Sequence, residues 1–239
     1  MPKKKNVVNE YEKDAPENLN GHPFYGFILD DYQKNFVDNI WNPEKLIIMC
    51  DSVAGSGKTQ MSFAVANLLY EYGRYDGIIY IVSAYGEGKQ GFLPGDITEK
   101  SEVYFEPLYQ AMIKCGVVPY QAIYDDSMTA QNKNSSGYVK AMTDTYTRGT
   151  NFENKVIIID EAQNCDFKQM KKILTRIADN CKVIVIGHRK QRDTEDRSNA
   201  FERYLDYYRS LDDKRVAICS LVTNYRGWIS QSADALEME

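Results

Sequence analysis

A lysine and a threonine that follow two closely spaced glycines, and an acidic pair far downstream, are the residues of this 239-residue chain best suited to chemistry. The run Asp51-Ser52-Val53-Ala54-Gly55-Ser56-Gly57-Lys58-Thr59 comes directly after a short apolar stretch, and a helical pattern opens at Thr59. Gly55 and Gly57 allow the backbone to curl with its N–H groups pointing inward. Such a loop cradles phosphate oxygens, and the positive end of the following helix adds to the attraction. Lys58 would then reach the β- and γ-phosphates, and Thr59 would place its hydroxyl on Mg2+. Val53, Ala54, Gly55, Ser56, Gly57, Lys58, Thr59 and the adjoining Gln60 are the expected contacts of a nucleoside triphosphate, with ATP the leading reading. The strict pattern GxxxxGK[ST] starts with glycine where this chain carries Ser52, so the regular expression fails while the phosphate-binding residues survive.

Hydrolysis needs more than a phosphate cradle: a carboxylate to hold the metal and a group to orient the attacking water. Val156-Ile157-Ile158-Ile159-Asp160-Glu161 offers both, a buried strand that ends in Asp160 for Mg2+ and Glu161 as base toward water. A further apolar run, Val183 to Ile186, leads into Gly187-His188-Arg189-Lys190-Gln191. Gln191 at such an edge either senses the γ-phosphate or is an ordinary polar loop residue, and the same choice applies to Gln163 as a relay.

These residues need a scaffold. Leu46 to Met49, Ile78 to Val82, Val156 to Ile159, Val183 to Ile186 and Val216 to Leu221 are short, β-branched and continuously apolar, as strands covered on both faces are. Between them lie helical patterns at Thr59 to Tyr72, Lys168 to Ile177 and Ala200 to Tyr208. The expected fold is α/β, a doubly wound, mostly parallel sheet. The polar stretch Asn134 to Gly149 reads as loop with at most one strand. Residues 1–23 read as a flexible polar arm or a loosely docked extension and 24–239 as a single domain, and the Lys3 to Lys5 run as part of a solvated tail.

Five cysteines with no CxxC pair argue against a zinc site or a disulfide framework. No run approaches the ~20 apolar residues of a membrane span, so no membrane partner and a cytoplasmic protein are expected. A formal net charge of −5 gives no global attraction to nucleic acid, so any such contact would be local.

With these pieces in place the chain resembles the PhoH family of ATPases, which are similar to the first RecA-like domain of superfamily 1 helicases. The resemblance is carried by Gly91-Phe92-Leu93-Pro94-Gly95-Asp96, Glu99-Lys100, Pro107-Leu108-Tyr109, Arg148-Gly149, Asp160-Glu161-Ala162-Gln163-Asn164, Gln169-Met170-Lys171 and Leu174-Thr175-Arg176, and it runs from Gln33 to Arg226. It implies a RecA-like core, a Gln33 amide placed against adenine, and a late arginine, Arg226, that stabilises transition-state charge in its own or a neighbouring subunit. It also implies a homo-oligomeric ring, a hexamer, and single-stranded RNA or DNA as partner of a helicase-like motor. Two departures from the family pattern stand out: His188 where the sensor strand usually has aspartate, and Ser83-Ala84 where the second strand usually ends in an arginine-containing turn. Two other classes remain open, a small-molecule phosphotransferase, for which Arg189 and Arg192 sit near the right sheet edge, and a non-catalytic module in which ATP only stabilises an oligomer.

Overall fold

In the computed structural model, residues 15–83, 103–124, 136–144, 149–189 and 200–234 are described. Six strands form one sheet: β1 (Ile47–Ser52), β2 (Ile78–Val82), β3 (Val139–Thr143), β4 (Val156–Asp160), β5 (Lys182–Gly187) and β6 (Val216–Leu221). Their order is β3-β2-β4-β5-β1-β6, with every pairing parallel. The α/β, parallel-sheet expectation holds.

The continuous apolar runs are explained by the two layers they feed. Because successive side chains in a strand point to opposite faces, Ile48, Cys50, Ile78, Tyr80, Val156, Ile158, Ile184 and Ile186 enter one core. That core is closed by α1 (Asp31–Trp41), α2 (Lys58–Glu71) and α3 (Glu106–Lys114). The alternate residues Met49, Ile79, Ile81, Ile157, Ile159, Val183 and Val185 enter the other, with Met170 and Ile173 of α5 (Phe167–Leu174) and Phe201 and Leu205 of α6 (Ala200–Ser210). A short helix, α4 (Pro119–Ala122), follows α3, and α7 (Trp228–Asp234) ends the described chain. α2 packs against both α1 and α3 and is apolar nearly all round, from Met61 through Leu69, as a helix enclosed by its neighbours must be.

The parallel arrangement brings the carboxyl ends of β1, β4 and β5 to one edge, with β5 between the other two. The phosphate loop leaves β1 and the acidic pair ends β4, so both reach that edge. Ser52 is still within β1, where its extended backbone places no demand for glycine. Its buried hydroxyl donates to the Gly187 carbonyl at 3.1 Å, tying the loop's first position to the end of β5.

Two stretches are sharper in the structure than in the sequence. The stretch from 134 contains β3, an edge strand in register with β2 from Ile78↔Val139 to Val82↔Thr143. Its pattern is weak because Lys140 and Ala141 are only half-buried at the sheet's rim. Residues 15 to 23, assigned to the polar arm, are docked: the Pro16 carbonyl accepts from the Trp41 indole at 3.0 Å, and Leu19 is buried against the core.

Lys182 opens β5 with its side chain fully buried, donating to the carbonyls of Asn42 and Lys45 at 2.7 Å each. It thereby joins the end of α1 to the start of β5. Burial, with a smaller push from Arg74, lowers its amine to about 7, well under the ordinary lysine value. Between that value and the unfolded lysine's, the unfolded chain holds a proton the folded chain lacks, so stability rises with pH. Urea unfolding from pH 7 to 9 should show wild-type stability climbing relative to Lys182→Met; parallel profiles would contradict the assignment.

Candidate nucleotide site

The phosphate loop is shaped by two left-handed glycines. Gly57, with φ +83°, is the N-cap of α2, which lets the loop turn sharply into the helix. Gly55, with φ +70°, passes beneath the C-terminal segment: a Cβ there would lie 2.4 Å from Asn224 Oδ1 and 2.7 Å from Arg226 Cγ. The Tyr225 N–H donates to the Gly55 carbonyl at 3.0 Å, so residues 224–226 lie across the loop. Ser56 Oγ is buried without a hydrogen-bond partner, and it is alone in this among the described residues.

Lys58 and Thr59 open α2 and project toward the acidic end of β4. In β4 the alternation that buries Val156 and Ile158 toward α2 also turns Asp160 that way. Thr59 Oγ1 donates to Asp160 Oδ2 at 2.7 Å, and Tyr80 on β2 donates its phenol to the same oxygen at 2.8 Å. The Glu161 N–H donates to Asp160 Oδ1 at 2.8 Å. Complete burial, followed by the charge of Glu161, pushes the Asp160 carboxyl above its ordinary range, while Lys58, Thr59 and Tyr80 pull the other way. The Thr59 hydroxyl and the Asp160 carboxylate are hard oxygen donors of the kind Mg2+ takes, and they lie beside the phosphate loop. The residues therefore fit a magnesium ion accompanied by phosphate.

Glu161 adopts a left-handed backbone, φ 50° and ψ 42°, a conformation that costs a non-glycine residue energy and re-aims its side chain off the strand. Its Oε1 is 3.1 Å from Lys58 Nζ, and its Oε2 accepts from Gln163 Nε2. Gln163 in turn accepts from the His188 N–H at 3.1 Å through Oε1. One buried amide thus joins the acidic pair to the end of β5. Beside it, Arg189 is held by Asp51, with Nε to Oδ2 at 2.7 Å, and this ion pair raises its guanidinium further.

Gln33 reaches the site by another route. Asp30 and Gln33 form a reciprocal capping box at the start of α1, the Gln33 N–H donating to Asp30 Oδ1 at 2.7 Å and the Asp30 N–H to Gln33 Oε1 at 3.2 Å. Gln33 Nε2 donates to the Ser56 carbonyl at 3.0 Å. Both ends of the amide expected to read adenine are engaged in bracing the helix and the loop.

One cleft of about 880 Å3, within the range of ligand sites and open to solvent, gathers part of these groups, while Asp160 and Ser56 are buried behind its lining. It is lined by Gln33, Ala54, Gly55, Gly57, Lys58, Thr59, Gln60, Glu161 and Arg226 among the expected residues. Val53 precedes the lining and donates its N–H to the Leu221 carbonyl at 3.0 Å. The remaining walls were not legible as site residues: Phe27, Ile28 and Leu29 before α1, Pro107 and Lys114 of α3, and Tyr225. Lys114 Nζ donates to Gln60 Oε1 at 3.1 Å, and Tyr225 donates its phenol to Asp30. Only the Pro107-Leu108-Tyr109 block gave a signal near α3. Gln191, Ala84, Arg192 and the Gly91 to Asp96 block lie outside the described residues. Ser83 donates to the Asn164 carbonyl at 3.2 Å, linking the end of β2 to the turn after the acidic pair. Burial pushes the Cys115, Cys165 and Cys219 thiols up to about 12. No cluster of His, Cys, Asp and Glu that could hold a metal on its own occurs among the described residues, nor any helix long and apolar enough to cross a membrane.

Protein PhoH of Escherichia coli (strain K12) is 37% identical over 144 residues, covering 60% of this chain and 39% of that protein. The PhoH-like protein of Mycobacterium leprae is 33% identical over 189 residues, covering 77% of this chain and 50% of its own length. The chain thus spans half or less of the length of these relatives. Among solved structures, the arterivirus nonstructural protein 10 helicase is similar over 78% of this chain and 36% of its own, at 12% identity and a TM-score of 0.44. The PhoH-like protein family matches residues 29–229, from the capping box of α1 to the first residues of α7, and the chain belongs to that family.

Proposed function

We propose that this chain binds ATP with Mg2+ and hydrolyses it by in-line attack of water on the γ-phosphate. The observation that carries the reading is the Lys58–Glu161 ion pair, 3.1 Å long, in a cleft where Thr59 is bonded to Asp160. There the phosphate-seeking cation and the water-orienting carboxylate neutralise one another. A γ-phosphate competes for Lys58 and frees Glu161 to hold the lytic water, so the base becomes available when there is a substrate to attack.

The roles follow from position. Loop N–H groups and Lys58 stabilise the charge of the transferring group. Thr59 and Asp160 hold Mg2+, whose charge offsets that of the triphosphate. The exposed Ile28, with Phe27 and Tyr225, lines the cleft with apolar surface suited to a nucleobase. Arg226, whose guanidinium makes no ion pair among the described residues, lies over Gly55 in the same chain, within reach of a nucleotide. Gln191, which follows β5 in sequence and lies outside the described residues, is the proposed sensor. Trp228 and Ile229, 78% and 80% exposed beside Arg226, are apolar surface of a kind that association covers, and the homo-oligomeric ring, a hexamer, is what the family resemblance implies. Kinship with helicases supports single-stranded RNA or DNA as the partner coupled to turnover.

The direct test is magnesium-dependent phosphate release from ATP, with and without single-stranded RNA and DNA. Lys58→Ala and Glu161→Gln should each reduce turnover on the order of 100-fold, as loss of a charge-stabilising or water-orienting group does. Turnover that survives both substitutions would sink the hydrolytic reading. ATP binding without phosphate release under any condition would leave the nucleotide as a structural ligand. Gln33→Ala supplies a second test. Loss of about one hydrogen bond should weaken nucleotide binding roughly fivefold. Bracing of the loop predicts equal losses for ATP and GTP, whereas a loss confined to ATP would return Gln33 to base recognition.

A further inference from the structure

Tyr80 sits in the middle of β2, Ile-Ile-Tyr-Ile-Val, where every residue is buried and the phenol is the one side-chain polar group. Packing alone does not explain it. Phenylalanine would fill the same space against Phe105, whose ring meets that of Tyr80 edge-on at 6.4 Å, with no hydroxyl to desolvate. The hydroxyl has one visible task, its 2.8 Å donation to Asp160 Oδ2. The register explains the reach: Tyr80 lies opposite Ile158 and Val82 opposite Asp160, so the phenol extends one step along the neighbouring strand on the same face.

Three donors converge on this carboxylate, and they differ in what carries them. Thr59 belongs to the phosphate loop and its helix, and it also contacts the ligand's metal in the proposed function. The Glu161 N–H belongs to the strained turn whose side chain must leave Lys58 when phosphate arrives. Tyr80 alone is rooted in the middle of the sheet and touches neither nucleotide nor loop. We propose that Tyr80 is a positioning residue: its hydroxyl holds Asp160 in one orientation while the groups on the nucleotide side rearrange, and so sets the affinity for magnesium rather than for nucleotide. This rests on the reading of Asp160 as a magnesium-holding residue.

Tyr80→Phe keeps the ring and its apolar packing, and thermal unfolding confirms that the variant is folded. The probe is a fluorescent ADP bound at equilibrium, first in EDTA and then across a magnesium titration, in wild type, Tyr80→Phe and Asp160→Asn. The expected result is an affinity in EDTA within twofold of wild type for Tyr80→Phe, with the magnesium concentration for half-enhancement raised at least threefold. Asp160→Asn should lose most of the enhancement. Coincident magnesium curves for Tyr80→Phe and wild type, with Asp160→Asn impaired, would overturn the role of Tyr80 and leave the metal assignment intact. A purely structural role would lower affinity equally with and without magnesium and would overturn it too. If Asp160→Asn matches wild type, the metal assignment itself fails and takes the inference with it.

Discussion

A carboxylate buried without solvent at the end of an apolar strand is the constraint around which this structure is organised. Asp160 is 1% exposed, and a charge in that position is tolerated only where donors surround it. Three donors do, and each comes from a different element: α2, β2 and the turn after β4. The order of strands follows from the same need. β2 must lie beside β4 to deliver Tyr80, and the loop leaving β1 must arrive over β4 from across β5 to deliver Thr59. The parallel sheet satisfies both at once, because all its strands end on the same edge.

Around that carboxylate the site is held by reciprocal contacts rather than by single elements. Gln33 ties the start of α1 to the phosphate loop, Ser52 ties the loop to β5, and Gln163 ties β5 to the acidic turn. A displacement of Glu161 by phosphate therefore has a path to the end of β5 through one amide. The residue at that end, His188, takes part through its backbone N–H, so this link does not depend on the aspartate usual in the family. The Ser52 departure has a similar account: the first loop position is strand, and what it contributes is a hydroxyl bridge.

What could be read from the sequence was what depends on local pattern. β1, β2, β4 and β5 are buried on both faces, so their apolar runs are continuous and their positions plain. The two edge strands are only half-covered: β6 alternates buried with more exposed residues and still reads as apolar, whereas β3 gave no more than the allowance of one strand because it mixes half-buried Lys140 and Ala141 with its apolar residues. The phosphate loop and the acidic pair were legible because their chemistry needs fixed residue types at fixed spacing. Contacts that tertiary packing alone creates were not, including the docking of Pro16 and Leu19, the α3 wall with Lys114, and the phenol of Tyr80 on Asp160. Gln33 shows the limit best. Its type and place were visible, whereas the engagement of both ends of its amide depends on the distance between α1 and the loop.

In the proposed function Lys58 and Glu161 hold each other until phosphate separates them. The measurement that decides it is a crystal structure of the protein with magnesium and a non-hydrolysable ATP analogue. The expected result is phosphates seated on the loop from Gly55 to Thr59, Lys58 on the β- and γ-phosphate oxygens, and Glu161 turned away from Lys58 toward the γ-phosphate. An analogue bound with the Lys58–Glu161 pair intact, or phosphates lodged elsewhere, would contradict it.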